Sequence, residues 1–102
     1  MPKGYWVAHV DVTDPEAYKS YVAANAEAFR KYGAKFLVRG GMFEAMAGKS
    51  RSRNVVIEFK DYATALACYR SPEYAKAMAF RDKGSVADII VIEGYDGPQP
   101  TD

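Results

Sequence analysis

His9 is the only histidine among the 102 residues. It lies in an alternating stretch, Gly4 to Val12, where Tyr5, Val7, His9 and Asp11 share one side and Trp6, Ala8, Val10 and Val12 the other. Arg39 and Glu58 lie in two further extended segments. If the apolar residues of these strands turn toward the helices, the opposite face collects His9, Asp11, Arg39 and Glu58. Such a set offers a guanidinium that holds an anion by forked hydrogen bonds, an imidazole that moves a proton, and two carboxylates that set its protonation. The same four groups also describe a self-satisfying ionic network at a buried interface, because buried charges must be paired. Both readings stand at this level.

A second candidate lies between the helices and the sheet. Trp6, Tyr21, Tyr69 and Tyr74, with Asn25 as a polar contact in an apolar helix stripe, suit a cleft for a planar aromatic ligand, since buried phenols need partners. Ordinary core packing describes the same aromatics. Arg81, three residues before Gly84, either reaches the mouth of such a cleft or favours the negative end of its helix. The loop Lys49 to Arg53 carries a local charge of +3 and either steers anions or forms a solvated rim. Ser71 reads as a helix cap and Cys68 as a small core hydrophobe. One histidine and one cysteine do not make metal-ligand spacing, and no glycine-rich phosphate loop occurs, so no metal or cofactor is expected.

The elements that must position these groups follow from pattern. Asp14 caps a helix with Pro15 at its first position, and its stripe of Tyr18, Tyr21, Val22, Asn25, Phe29 and Tyr32 ends at Gly33. A strand is predicted over Ala34 to Gly40, then a bend or bulge at Gly40 and Gly41 and a short extended piece over Met42 to Ala47. Asn54 to Lys60 is the strongest strand. Asp61 opens a helix through Arg70, Ser71 and Pro72 restart it as far as about Lys83, and Val86 to Glu93 forms the last strand. A single domain over residues 1–95 and a flexible tail over 96–102 are expected.

The order β-α-β-β-α-β is the ferredoxin-like arrangement, an α+β fold in which an antiparallel sheet carries both helices on one face. Its last two strands are apolar on both faces, yet the helices cover only one, so a homodimer joined through the helix-free faces is expected. Lys and Arg total 14 against 13 Asp and Glu, a net charge of +1 with scattered basic residues, which argues against nucleic acid as a principal partner. A composition that is 49% hydrophobic argues against disorder. No stretch reads as a signal peptide or membrane span, and a lone cysteine fits a reducing cytoplasm.

Four motifs, Arg39-Gly40-Gly41, Val55-Val56-Ile57-Glu58-Phe59, Ala67-Cys68-Tyr69-Arg70-Ser71-Pro72-Glu73-Tyr74 and Ile92-Glu93-Gly94, resemble the small bacterial family DUF1330 in order and spacing. Cys68 departs from the tryptophan common in that pattern. The resemblance implies a dimeric α+β barrel, whose wider superfamily spans cofactor-free monooxygenases, haem-degrading monooxygenases and isomerases. The functional expectation is a dimer that binds a small aromatic or carboxylated metabolite, either as a cofactor-free enzyme of monooxygenase or isomerase type or as a non-catalytic binding or accessory protein. In the first case Arg39 orients the substrate, His9 is the acid or base, Glu58 and Asp11 tune it, and Tyr69 and Tyr74 shape the pocket.

Overall fold

A computed structural model describes residues 2–102. The chain runs β1 (Gly4–Val12), α1 (Pro15–Lys31), β2 (Lys35–Arg39), β3 (Arg53–Phe59), α2 (Tyr62–Tyr69), α3 (Pro72–Gly84) and β4 (Ser85–Glu93). The strands form one sheet in the order β2-β3-β1-β4, and every neighbouring pair is antiparallel. This is the ferredoxin-like α+β fold, with its second helix divided into α2 and α3.

The helix boundaries follow from their caps. The Asp14 carboxylate accepts from the backbone N–H of Glu16 at 3.1 Å and of Ala17 at 3.3 Å, while Pro15 takes a first-turn position that needs no donor. Gly33 closes this helix at φ +68°, a conformation that favours glycine. Asp61 accepts from Thr64 N–H at 2.8 Å. The Ser71 hydroxyl accepts from Tyr74 N–H at 3.1 Å and donates to the Cys68 carbonyl at 2.7 Å, so it joins the two helices at their break. Burial of Cys68 pushes its thiol up to about 12, which keeps it an unreactive core group.

Two local expectations are corrected. Residues 42–47 form no strand; they belong to the long connection between β2 and β3, in which Met42 and Met46 are exposed. The irregularity in β2 lies between Phe36 and Val38, ahead of the two glycines. Gly40 instead adopts φ +67°, and a Cβ there would run into the Arg53 guanidinium.

The core lies between the sheet and the helices. Trp6 projects from β1 and meets Phe29 of α1, Tyr69 of α2 and Tyr74 of α3 edge-on at centroid distances of 5.2, 5.4 and 5.0 Å. Its indole N–H donates to the Ala65 carbonyl of α2 at 2.8 Å. Replacing it removes the shared contact of three helices and leaves a cavity. Trp6→Ala is therefore expected to lower the unfolding free energy by about 3–5 kcal/mol, read as a fall in the urea midpoint; a loss under about 1 kcal/mol would contradict this account.

Candidate functional site

Strand register divides the predicted site residues between two faces. On the helix-free face, His9 of β1 lies opposite Asn54 of β3 and Asp88 of β4, and its Nδ1 is 2.7 Å from the Asn54 Oδ1. Asp11 lies on the same face. Its carboxylate accepts from Ser52 N–H at 2.9 Å and from the Arg51 guanidinium at 2.8 Å, and Arg51 also reaches Asp88 at 2.9 Å. Glu58 sits two rows from His9, beyond the Val7–Val56 pair, opposite Tyr5 and Lys35, and its Oε1 accepts from the Tyr5 hydroxyl at a long 3.4 Å.

Arg39 is not on that face. Between Phe36, which pairs with Ile57, and Val38, which pairs with Val56, β2 contains one extra residue, so Arg39 pairs with Val55 and shares the helix-covered side with it. Because side chains alternate with a period of two, a single inserted residue moves every later side chain to the opposite face. His9, Asp11 and Glu58 therefore share one side of the sheet, and Arg39 stands on the other.

There Arg39 joins the second group. A cleft between α1 and the sheet is lined by Trp6, Tyr21, Asn25, Arg39, Arg53 and Arg81, among others, and encloses a cavity of about 30 Å³. Three guanidiniums border it, and none of the described residues lining it is acidic or a histidine. Arg39 stacks over the Phe36 ring at 4.0 Å. Arg53 donates through Nε to the Tyr18 hydroxyl at 3.2 Å, and no ion pair engages Arg39 or Arg53 among the described residues. Both retain most of their N–H groups for a guest.

The cleft's inner end is tyrosine-rich. The Tyr21 and Tyr74 hydroxyls are 2.8 Å apart, and Arg81 Nη1 donates to Tyr74 at 3.2 Å and to Tyr69 at 3.0 Å. Tyr69 and Tyr74 stand behind the lining, joined to it through Arg81. Burial raises the Tyr21 phenol well above its ordinary value, and the neighbouring Tyr74 adds to the rise. Burial also raises Tyr74, with Tyr21 and Arg81 working against it. Both phenols are neutral hydrogen-bonding groups at physiological pH.

Arg53 and Tyr18 were not singled out from sequence. Arg53 read as part of the basic loop, although it shares parity with Val55, Ile57 and Phe59, the side that faces the helices. Tyr18 read only as one member of the α1 stripe. Among the described residues, no three of His, Cys, Asp and Glu converge as a metal site, and no helix is long and apolar enough to cross a membrane.

A profile of the family described as Domain of unknown function (DUF1330) matches residues 3–95. The chain belongs to this family. No curated protein matches it in sequence. Among crystal structures, the DUF1330 chain is similar to a protein of unknown function from Rhodopseudomonas palustris, with TM-score 0.75 and 16% identity over 94% of this chain and 85% of that one. It is also similar to SnoaB, a cofactor-independent oxygenase from Streptomyces nogalater, with TM-score 0.62 and 14% identity over 98% and 99% of the two chains. A dimeric protein of unknown function with a ferredoxin-like fold from Bacteroides fragilis gives TM-score 0.52 and 12% identity over 89% and 95%. At these identities the likeness establishes the shared fold.

On the helix-free face of this DUF1330 protein, the Ser52 N–H first and then Arg51 hold the Asp11 carboxyl below its ordinary value. A carboxyl depressed in the folded chain stabilises it above the unfolded value, and that contribution is lost as pH falls through the folded value. A titration of the Ser52 amide chemical shift is expected to show a midpoint below about 3.9, the ordinary Asp value, and Arg51→Gln is expected to move it upward. A midpoint at or above the ordinary value in the native chain would contradict the bonded geometry.

Proposed function

We propose that this DUF1330 protein binds a small planar aromatic anion, such as an aromatic carboxylate, in the cleft between α1 and the sheet. The observation that carries this reading is the set of three cleft guanidiniums with no acidic residue in the lining. Arg39 and Arg53 are the carboxylate-binding groups, because they have donors to spare and no competing ion pair. Trp6 and Phe36 supply apolar and aromatic surface, and Tyr21 and Asn25 supply polar contacts at depth. A cavity of about 30 Å³ admits water-sized guests, so this reading requires the exposed Arg39 side chain and the half-buried Arg53 to move aside for an aromatic ring.

The reaction class that fits this cleft is cofactor-free stabilisation of negative charge on a bound substrate, as in proton transfer or oxygenation. SnoaB, a cofactor-independent oxygenase, has the same fold. A lining without histidine or carboxylate supports binding more directly than turnover, and it keeps a non-catalytic binding protein as the second reading. His9, with Asp11 and Glu58 to set its protonation, would have to act from the other face of the sheet.

The working unit in this proposal is a homodimer. Val38, Val56, Val7 and Ile90 form one row across all four strands of the helix-free face, with Val38 and Ile90 exposed at 43% and 55%. An apolar band of this kind, next to the row containing Asn54, His9 and Asp88, suits isologous pairing with a second copy. The dimeric neighbour from Bacteroides fragilis supports the same assembly. Sedimentation of the native chain is expected to show a dimer at micromolar concentration, and Ile90→Lys a folded monomer. A native monomer, or a dimer unaffected by the substitution, would remove this part of the proposal.

Anion binding has its own test. In a thermal-shift panel of aromatic carboxylates and their matched carboxamides, the acids are expected to stabilise the native chain and the amides not. A ligand at 100 times its dissociation constant adds about 2.7 kcal/mol. Arg53→Gln is expected to abolish the shift. Equal effects of acids and amides, or a shift that survives Arg53→Gln, would refute the assignment.

A further inference from the structure

The pairing of hydroxyl protons at the inner end of the cleft bears on which anions it selects. Arginine only donates, and each phenol has one proton to give. The 2.8 Å contact between Tyr21 and Tyr74 uses one of the two phenolic protons and leaves the other needing an acceptor. If Tyr21 donated to Tyr74, the Tyr74 oxygen would receive two hydrogen bonds, one from Arg81 at 3.2 Å, and its own proton would be stranded. Tyr74 is 0% exposed, and the described residues place no acceptor at its hydroxyl other than Tyr21. A buried donor without a partner is the arrangement that folded chains avoid.

The opposite direction places the Tyr74 proton and leaves the unplaced one on the cleft side. Arg81 donates to Tyr74, Tyr74 donates to Tyr21, and the spare proton belongs to Tyr21, whose side chain lines the cleft. Acidity supports this direction. Burial raises both phenols, but the Arg81 guanidinium opposes that rise only at Tyr74, which makes Tyr74 the better donor of the two. Each bond in such a chain polarises the next, so the terminal O–H is a strengthened donor.

We propose that Tyr21 is a specificity-determining donor: the cleft selects aromatic anions that bring a carbonyl or phenolate oxygen to the Tyr21 hydroxyl while their carboxylate sits at Arg39 and Arg53. The proposal rests on the anion-binding reading above and extends it from a charge requirement to a ligand with two polar ends. Tyr21 adds a neutral, directed donor where negative charge would develop if such a carbonyl were enolised.

Isothermal titration with 4-acetylbenzoate and 4-ethylbenzoate, and with their 3-substituted isomers, tests this directly. The paired compounds have nearly the same shape, and only the acetyl member brings a carbonyl oxygen. The native chain is expected to bind at least one acetyl isomer about tenfold more tightly than its ethyl counterpart. Tyr21→Phe is expected to erase that preference while retaining affinity for the ethyl acid, and Tyr74→Phe to reduce it. Infrared spectra supply a readout that does not depend on the Tyr21 variant folding: the carbonyl band of bound acetylbenzoate is expected to shift down in the native chain and less in Tyr74→Phe. Equal binding of acetyl and ethyl acids, a preference that survives Tyr21→Phe, or an unshifted band would overturn the role of Tyr21 and leave the carboxylate site standing. Failure of every acid to bind would overturn both.

Discussion

The placement of Trp6 governs the rest of the molecule. It sits on β1, a central strand, and it alone touches rings from α1, α2 and α3 as well as Phe59 of β3. A buried indole must place its N–H, and the Ala65 carbonyl fixes where α2 can lie. Once α2 is fixed, Ser71 sets the break to α3, and α3 positions Tyr74 and Arg81. The same ring forms part of the cleft floor. The inner wall of the cleft is thus a consequence of core packing, and the aromatics named as core or as cleft are packed in the core while Trp6 and Tyr21 also line the cleft.

The strands, helices, caps and connection order were legible because period and capping chemistry are local. Alternation through Gly4 to Val12 places Trp6, Ala8 and Val10 inside and His9 and Asp11 outside, and the structure agrees. The side of the sheet taken by Arg39 was not legible. Phe36, Leu37 and Val38 are all apolar, so nothing in their order marks one of them as extra, and the bulge arises from the pairing of β2 with β3. Arg53 illustrates a different limit. Its parity was readable from Val55, Ile57 and Phe59, but a run of basic residues between glycine and the strand reads as solvated loop. The expected extended piece over Met42 to Ala47 has no strand partner in the sheet, and propensity without a partner does not make a strand.

The bulge also separates the chemistry. The sole histidine and the carboxylates Asp11 and Glu58 lie on one face, and the guanidiniums of Arg39, Arg53 and Arg81 border a cleft on the other. A substrate held in the cleft cannot meet His9 of the same chain without crossing the sheet. On the helix-free face, Arg51 bridges Asp11 and Asp88, which ties the end of the long connection to β1 and β4. Charges engaged in this way are suited to fixing an edge beside an apolar band. The groups available to a cleft-bound ligand are guanidiniums, an amide and neutral phenols.

Phenols, and not carboxylates, accompany Arg81 inside the fold, and the difference has an electrostatic consequence. A carboxylate would satisfy the guanidinium and cancel its charge; Tyr69 and Tyr74 satisfy N–H groups and leave the charge in place. The acidic partner of Arg81 is Asp82, which is 67% exposed and whose field is therefore weakened by solvent. On the cleft side the positive potential persists, in surroundings where burial strengthens it. Arg39 contributes in the same sense through its stacking on Phe36, a contact that orients a guanidinium without neutralising it. An array of cations held by rings and hydroxyls, with no acidic side chain in the described lining to offset it, is the feature on which the proposed anion site rests.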